Sequence, residues 1–407
     1  MMAKEKKKVP NLRFKGFTDD WEQRRLGEVT SHRGGTAIEK YFDENGEYKV
    51  ISIGSYGLDS KYVDQNIRAK SNEVTNERVV HAGELTMVLN DKTANGTIIG
   101  RSLLIENDNE YVINQRTEII KPKESFNAKF AYTLLNGPFR NKVKRIVQGG
   151  TQIYVNYSSV EKLTVPLPNM KEQQKIGSFF NQLDSLIALH QRKLDLLNQL
   201  KNGFLQKMFA DKSKFPILRF EGFHDEWEQR KLGEISTSFS GGTPSVKNKS
   251  YYGGKIPFIR SAEIHKNKTE LFITESGLKN SSAKLIKKGT LLYALYGATS
   301  GEVDVSNIDG AINQAIMAIF LQKDNVSFIK YYLEKNKDKI IAKYLQGGQG
   351  NLSASIIKSV HINLPFTEEQ LKISNLIKKV ESLISLQHQK LAKYQSIKKS
   401  LLQQMFM

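Results

Sequence analysis

Basic, amide and tyrosine side chains in the variable turns of this sequence are the residues best suited to binding a ligand. Lysine and arginine neutralise phosphates, and amide, phenol and guanidinium groups exchange hydrogen bonds with polar edges such as those of bases. For any one of them, a solvated loop side chain is the simpler interpretation. The candidates in the first half are Arg33, Lys40, Asn90, Lys92, Arg101, Gln152, Tyr154 and Asn156. Those in the second half are Lys247, Lys249, Tyr251, Arg260, Tyr296, Gln349 and Asn351.

Motifs for catalysis or cofactor binding are missing from the sequence. It contains no cysteine, which excludes a disulfide scaffold, a thiolate zinc site and a cysteine nucleophile. It also contains no GxxxxGK[ST], GxGxxG or HExxH pattern, the usual signatures of phosphate, dinucleotide and zinc sites. We therefore expect no metal, no cofactor and no catalytic residue in this chain. The alternative to a non-catalytic chain is a self-contained DNA nuclease or modification enzyme whose active site is built from scattered carboxylates.

The net positive charge of the chain predicts a polyanionic partner. Its 407 residues include 61 Lys and Arg against 42 Asp and Glu, which gives a formal net charge of +19. Such an excess is typical of nucleic-acid binding, although a surplus that serves solubility is the alternative. No apolar run approaches the length of a membrane span, and the lysines at the start precede no apolar signal segment. We expect a cytoplasmic protein with no membrane partner.

The sequence repeats itself. Residues 10–29, PNLRFKGFTDDWEQRRLGEV, match residues 216–235, PILRFEGFHDEWEQRKLGEI, at fourteen of twenty positions. Both tryptophans of the protein, Trp21 and Trp227, stand at the same repeat position. Weaker matches continue along the chain, and the shift between copies falls from 206 to 197 residues. Two copies of one architecture, carrying different loops, follow from this pattern.

Each copy has the same predicted order of elements. Short β-branched and aromatic runs predict strands, including 84–90 and 290–296, and likewise 112–120 and 311–320. One helical stretch follows in each copy, at 125–147 and 326–345. A last strand then leads through a Leu-Pro pair into a long helix.

The two long helices carry one heptad pattern. Apolar residues alternate by four and three from Ile176 to Met208 and from Ile373 to Met405, which predicts coiled-coil geometry. Both stripes are interrupted at repeat-equivalent positions by His190 and Gln387, and again by Lys201 and Lys398. We expect the helices to pair antiparallel, with His190 and Gln387 meeting at the centre and setting the register. The alternative is that each helix packs only on its own domain.

These patterns predict an α+β protein of two tandem mixed α/β domains, separated by two long helices that pair as an antiparallel coiled coil with pseudo-two-fold symmetry. The predicted domains are residues 1–168 and 211–365, and the predicted spacer helices are residues 169–210 and 366–407. A chain with duplicated basic domains and no catalytic motif favours recognition over catalysis.

The arrangement resembles the specificity subunit of Type I restriction–modification systems. The resemblance rests on the repeated segments LRFKGFTDDWEQRRLGEV and LRFEGFHDEWEQRKLGEI, and on VPLPNMKEQQKIGSFFNQLDSLI and INLPFTEEQLKISNLIKKVESLI. The turns SGGTPS and YGATSGEV and the strand IPFIRSAEI add to it. It covers nearly the whole chain except the lysine-rich start.

The resemblance implies a non-catalytic subunit with two target recognition domains, each reading one half of a split, asymmetric sequence in double-stranded DNA. The helices would fix the gap between the half-sites. Two methyltransferase subunits, which bind S-adenosylmethionine, would dock on it, and motor-nuclease subunits would complete the cleaving complex. A coiled-coil interaction protein that does not bind DNA is a third possibility.

Overall fold

A computed structural model of the chain describes residues 9–211, 213–345 and 352–406, apart from the side chains of residues 344 and 345. The chain divides into two compact units. The first comprises Met1–Gln191 with Gln389–Met407, and the second comprises Arg192–His388. Each long helix therefore contributes residues to both units.

The first unit is a mixed α/β structure. Its strands are β1 (Glu22–Arg25), β2 (Thr30–Gly34), β3 (Tyr48–Ile51), β4 (Arg68–Ala69), β5 (Val79–Val80), β6 (Leu85–Val88), β7 (Asn90–Asp91), β8 (Ser102–Leu104), β9 (Tyr111–Ile113), β10 (Thr117–Pro122), β11 (Gln148–Gly149), β12 (Ile153–Tyr154) and β13 (Thr164–Leu167). Its helices are α1 (Leu26–Val29), α2 (Glu73–Asn76), α3 (Ala128–Asn136), α4 (Pro138–Lys144), α5 (Tyr157–Val160) and the start of α6 (Met170–Lys207).

Four small sheets build the described part of this unit. Two have four strands each, in the orders β2-β10-β6-β8 and β4-β3-β9-β5. Strand β1 pairs with β13, and β11, β12 and β7 form a three-stranded sheet. Among the described residues, the ladder between β3 and β9 is parallel, and the other ladders between named strands of this unit are antiparallel. The long connection between β3 and β9 contains β6 and β8 of the other four-stranded sheet, so the two four-stranded sheets are interleaved along the chain.

The second unit repeats this order. Its strands are β14 (Glu228–Lys231), β15 (Ser236–Ser240), β16 (Tyr252–Ile259), β17 (Phe272–Ile273), β18 (Lys284–Ile286), β19 (Leu291–Ala294), β20 (Val303–Val305), β21 (Gly310–Ile312), β22 (Ile316–Leu321) and β23 (His361–Leu364). Its helices are α7 (Leu232–Ile235), α8 (Glu275–Lys279), α9 (Val326–Lys335), α10 (Lys337–Leu345), α11 (Ala354–Lys358) and most of α12 (Thr367–Met405).

In the described residues, three sheets of the second unit correspond to three of the four sheets of the first. The order β15-β22-β19-β20 matches β2-β10-β6-β8, and β14 pairs with β23 as β1 pairs with β13. In the sheet β17-β16-β21-β18, β16 and β21 are parallel, as β3 and β9 are. The predicted duplication of a mixed α/β domain is confirmed at the level of strand order.

The repeated tryptophans are core residues. Trp21 is buried and makes edge contacts with Phe130 and Phe406. Trp227 is likewise buried, against Phe209 and Phe328. Because these partners come from α3, α9 and the ends of the long helices, each tryptophan ties the start of its repeat to a helix end.

Four of the predicted elements are divided in the structure, two in each copy. The run 112–120 is not one strand, because Arg116 adopts a left-handed φ of 66° in a turn between β9 and β10. The run 311–320 is likewise two strands, β21 and β22. The helical stretch 125–147 breaks at Gly137, since Pro138 has no N–H with which to continue helix α3. Its counterpart breaks at Asn336, between α9 and α10.

Both long helices bury the predicted heptad stripe. All ten stripe positions of each helix are buried or half-buried, whereas the residues between them are mostly exposed. In the first unit Asp184 contacts Lys398, and His190 contacts Tyr394. The contacts advance in opposite directions along the two helices, as antiparallel pairing requires. Among the described residues, no helix is long and apolar enough to cross a membrane.

Candidate nucleic-acid interface

The three-stranded sheet β11-β12-β7 gathers candidate side chains of the first unit. Asn90 pairs with Tyr154 across β7 and β12, and Tyr154 pairs in turn with Gln148 on β11. These residues come from parts of the chain about sixty positions apart. The sheet thus brings together turns that sequence alone could not join.

Five candidates lie on this sheet or beside it. Lys92 directly follows β7, Gln152 precedes β12, and Asn156 follows β12. Lys92, Gln152 and Asn156 are exposed, the Tyr154 side chain is 41% exposed, and Asn90 is half-buried. Two asparagine amides, a glutamine amide, a phenol and an ammonium group therefore share one patch. This set can contact phosphate with its cation and base edges with its amides.

Gln148 also lies on this sheet, and sequence reasoning placed it only in a turn. It is exposed on β11. The signal was present, because Gln148-Gly149-Gly150 recurs as Gln346-Gly347-Gly348 in the second copy. Those second-copy residues lie outside the described part of the chain.

Two arginine candidates of the first unit bind within the protein. Arg33 Nη2 donates to the carbonyl of Val79 at 2.9 Å. Arg101 donates from Nε to the Thr97 carbonyl and from Nη1 to Ser60 Oγ, each at 2.9 Å. Burial lowers the pKa of Arg101. Both guanidinium groups are therefore already engaged by groups of the protein itself.

Lys40 differs from these arginines. It is exposed in a short 3-10 turn, and its ammonium group lies 4.7 Å from the ring centre of Tyr41. It is outside the three-stranded sheet.

In the second unit, the exposed candidates are Lys247 and Lys249. Tyr251 is half-buried beside Lys249, in a 3-10 turn that the side chain of Asn248 caps. Tyr296 is half-buried against the core, and burial raises its pKa. The predictions for Gln349 and Asn351 fall on residues outside those that the structure describes.

Arg260 forms ion pairs within the second unit. Its guanidinium binds both oxygens of Glu263 at 3.0 and 3.1 Å and reaches Glu270 at 3.0 Å. Glu263 is buried, and burial alone would raise its pKa. The hydrogen bonds from Arg260 and from the Glu270 backbone outweigh that effect and lower its pKa to about 2. Arg260 therefore serves structural ion pairs within the second unit.

The two units also correspond in one backbone hydrogen bond, next to strand β7 in the first unit and at the equivalent place in the second. The amide of Val155 donates to the Leu89 carbonyl at 2.9 Å in the first unit. The amide of Leu352 donates to the Leu295 carbonyl at the same distance in the second. Tyr296, which follows Leu295, thus stands where the first unit has Asn90. The two units present different side chains at one position of the same framework.

The polar heptad positions are engaged in the structure. The His190 ring stacks on Tyr394 with 5.0 Å between centres and 23° between planes. Gln387 is 4% exposed. Their role in setting the register remains a prediction. Sequence reasoning missed the acidic partners of the heptad lysines, Asp184 for Lys398 and Glu381 for Lys201.

No convergence of acidic residues suggests a metal site in the described part of the chain. There, no three His, Asp or Glu side chains come together in a way that could hold a metal ion.

The chain is similar to known specificity subunits over most of its length. It is 23% identical to the Type I restriction enzyme MjaVIII specificity subunit of Methanocaldococcus jannaschii, over 94% of this chain and 91% of that protein. It is 22% identical to the HindI specificity subunit of Haemophilus influenzae, over 86% and 90%. These names give no support to the nuclease alternative.

Solved structures agree on the fold. The crystal structure of the Type I restriction–modification S subunit from M. genitalium aligns with a TM-score of 0.69 at 16% identity, over 98% of this chain and 99% of that one. The family model for the Type I restriction modification DNA specificity domain matches residues 18–199 and again residues 224–395. The chain therefore belongs to the family of Type I restriction–modification DNA specificity proteins, with one copy of the specificity domain in each repeat.

Proposed function

We propose that this chain is the sequence-specific, non-catalytic DNA-recognition subunit of a Type I restriction–modification complex. Each recognition domain reads one half of a bipartite, asymmetric target in double-stranded DNA. The observation that carries the proposal is the repeated framework with different side chains at one position, Asn90 in the first unit and Tyr296 in the second. Because the frameworks match and the side chains differ, the two half-sites differ in sequence.

The charges supply the affinity for DNA. The net charge of +19 favours association with any duplex, since neutralised phosphates release counterions. Lys92, Lys247 and Lys249 are exposed cations next to the candidate polar side chains. We assign phosphate contacts to these lysines, and base contacts in the major groove to Asn90, Gln152 and Tyr154.

The long helices act as the spacer between the two readers. Helices α6 and α12 have 38 and 39 residues, so each is roughly 60 Å long at about 1.5 Å per residue. The buried heptad stripe keeps them paired, and the length of the pair sets the gap between half-sites. We keep the domain boundaries predicted from sequence, at 1–168, 169–210, 211–365 and 366–407.

The outer faces of the helices dock the methyltransferase subunits. Leu189 and Leu196 on α6 are 61% and 58% exposed, and Leu383 and Leu386 on α12 are 49% and 46% exposed. An exposed row of leucines on a helix marks an interaction surface. We propose that two methyltransferase subunits, which carry S-adenosylmethionine, bind there in the cytoplasm. Motor-nuclease subunits join them in the full complex, and this chain itself holds no cofactor.

Methylome sequencing of host cells with and without this gene tests the proposal. One bipartite motif with two unlike halves and a fixed gap should disappear when the gene is deleted. The purified chain alone should neither methylate nor cut DNA, with or without divalent metal ions. Activity of the isolated chain would overturn the proposal in favour of a self-contained enzyme.

Gel retardation at several salt concentrations tests the phosphate contacts. Binding should weaken steeply with salt, and Lys92→Ala should reduce the slope of log K against log[salt] by about 1. Lys92→Ala should also weaken binding to all sequences alike. A chain that binds no duplex at low salt would instead be a coiled-coil interaction protein.

A further inference from the structure

The loop between β7 and β8 is held by hydrogen bonds from two side chains, Asp91 and Arg140. We propose that Asp91 and Arg140 are positioning residues that hold residues 92–100 in one conformation and thereby determine which bases the first recognition domain reads. This inference rests on the proposed function, because it concerns how that same interface obtains its specificity.

Asp91 directly precedes the loop, and its carboxylate binds the loop backbone. Its side chain is buried, at 3% exposure. One carboxylate oxygen accepts hydrogen bonds from the backbone amide of Thr93 at 3.0 Å and from the Thr93 hydroxyl at 2.9 Å. The other accepts from the amides of Ile98 and Ile99 at 2.8 and 3.4 Å. One carboxylate therefore joins both ends of the loop.

Asp91 remains ionised in this setting. Burial alone would raise its pKa, but the hydrogen bonds from Ile98 and Thr93 outweigh burial, and the pKa lies below its ordinary value. A charged acceptor makes hydrogen bonds roughly twice as strong as a neutral one. The loop is thus tied by charge-assisted bonds at neutral pH.

Arg140 holds the same loop from helix α4. Its Nε donates to the Ile99 carbonyl at 2.9 Å, and its Nη2 donates to the carbonyls of Gly96 and Thr97 at 3.0 and 2.7 Å. Burial is the main cause that lowers the pKa of Arg140 to about 10, so the guanidinium is charged at neutral pH. Asp91 thus binds the amides of the loop, and Arg140 binds its carbonyls.

Packing fixes the base of the loop and leaves its tip open. Ile99 is fully buried in the core. Gly96 has a left-handed φ of 60°, and a Cβ there would lie 3.2 Å from Ile153 of β12. Residues 92–95, which form the tip, are exposed. A rigid base therefore presents Lys92, Thr93, Ala94 and Asn95 beside Asn90 and Tyr154.

The second unit builds this loop differently. Gly100 donates to the Val88 carbonyl and Gly301 to the Ala294 carbonyl, each at 2.9 Å, so both loops close in the same way. Eleven residues separate the first pair and six the second. The longer loop of the first unit is the one that has an internal carboxylate.

The cation beneath the loop also differs between the units. A Cβ on Gly100 would face Arg140 and Val143, and a Cβ on Gly301 would face Lys337 and Ile341. Lys337 binds the side chain of Glu302 at 2.5 Å, whereas Arg140 binds loop carbonyls. The hydrogen bonds of Asp91 and Arg140 to the loop therefore belong to the first recognition domain. Their loss should change only the half-site that this domain reads.

The test is Asp91→Asn in the full chain, assembled with its methyltransferase subunits. The probes are duplexes carrying the wild-type bipartite motif or a changed base in one half-site. An asparagine keeps the shape but offers only one acceptor oxygen, so one end of the loop is released. We expect discrimination against changed bases in the first half-site to fall roughly tenfold or more. Discrimination at the second half-site and the gap should stay as in the wild type.

Asp108→Asn is the matched control. Asp108 is an exposed carboxylate of the same unit that accepts one backbone hydrogen bond, from Ala82 at 2.9 Å. It should leave both half-sites unchanged. Full discrimination by Asp91→Asn would overturn the inference, as would equal losses at both half-sites.

Asn95→Ala keeps the inference testable should Asp91→Asn fold poorly. Asn95 is an exposed tip residue, so its removal should leave the melting temperature unchanged and still alter the first half-site. An unaltered motif would contradict a reading role for the loop. A wild-type complex that recognises no bipartite motif would instead refute the proposed function itself.

Discussion

Asp184 and Glu381 stand at equivalent positions of the two long helices, 197 residues apart, and each binds a heptad lysine of the other helix. Lys398 Nζ lies 2.5 Å from Asp184 Oδ1, and Lys201 Nζ lies 2.8 Å from Glu381 Oε1. The two lysine interruptions of the apolar stripes are thus the sites of ion pairs. Because a shifted register would set an ammonium group against apolar stripe residues, we expect these pairs to favour one register at some cost in stability.

Reversing one charge of a pair should destabilise the helix pairing. We expect Lys398→Glu to lower the free energy of unfolding by about 1–3 kcal/mol, because it sets two carboxylates together where Asp184 is largely buried. Asp184→Lys alone should cost a similar amount. The double exchange should recover a large part of the loss, and urea unfolding of the four proteins measures the coupling energy.

Lys390→Glu provides the control for this cycle. Lys390 is exposed on the same helix, so its reversal should change stability by less than about 0.5 kcal/mol. Additive effects of Lys398→Glu and Asp184→Lys would contradict a direct role of the pair in the register.

His265 should make the stability of the second unit depend on pH. Its two ring nitrogens lie 2.8 Å from Asp304 and 2.9 Å from Glu302. Lys330 and Lys337 face the same two carboxylates from α9 and α10. The hydrogen bond to Asp304 is the largest cause that raises the pKa of His265, and Glu302 adds to it against burial.

The direction in which stability changes with pH follows from this raised pKa. The stabilisation is fully present below the ordinary value of 6.5 and is lost as the pH rises through the raised value in the folded state. We expect His265→Gln to cost about 0.5–1 kcal/mol near pH 6, since half of the side chain is exposed. The cost should shrink near pH 9 in thermal melts recorded across this range.

His81→Gln is the comparison for His265→Gln. His81 is equally exposed but approaches a single carboxylate, Asp108, at 3.4 Å. Its replacement should have the smaller effect near pH 6. A cost of His265→Gln that grows with pH would refute the assigned role of the two carboxylates.

The repeat and the heptads made the fold predictable, because both are local or periodic signals. The duplicated α/β architecture and the long helices could both be derived from spacing. The division of 112–120 at Arg116 could not, because its β-branched composition gives no sign of a left-handed turn. The contacts of Asp91 and Arg140 could not be predicted either, since the two residues stand 49 positions apart and only the folded chain brings them to one loop. Divergence between the repeats selected Asn90 and Tyr154 as candidates. Only the folded chain shows that these two lie side by side and that Arg33 and Arg260 make internal contacts.

Placing a charge on the exposed leucine row should block assembly. Leu189 is 61% exposed, so Leu189→Glu should leave the melting temperature of the isolated chain nearly unchanged. Burying that carboxylate in an apolar contact would be unfavourable, and methyltransferase binding should weaken at least tenfold. Size-exclusion chromatography of the co-expressed subunits measures the loss.

Gln199→Glu, on the exposed face of the same helix, adds the same charge without removing a leucine. It should assemble normally. Equal binding by Leu189→Glu and the wild type would mean that the methyltransferase docks elsewhere.

Lengthening both helices by one heptad should lengthen the gap between half-sites. Copies of the adjoining heptads would be inserted between Gln191 and Arg192 and between His388 and Gln389, positions 197 residues apart. Seven residues add about 10 Å at 1.5 Å per residue, or about 3 base pairs at 3.4 Å each. A whole heptad preserves the apolar stripe and lets Asp184 and Glu381 keep their lysines. Methylome sequencing should show both half-sites unchanged around the longer gap, and replacement of the same segments without added length should leave the gap as it was. Altered half-sites at a constant gap would mean that the helices do not set the distance between the readers.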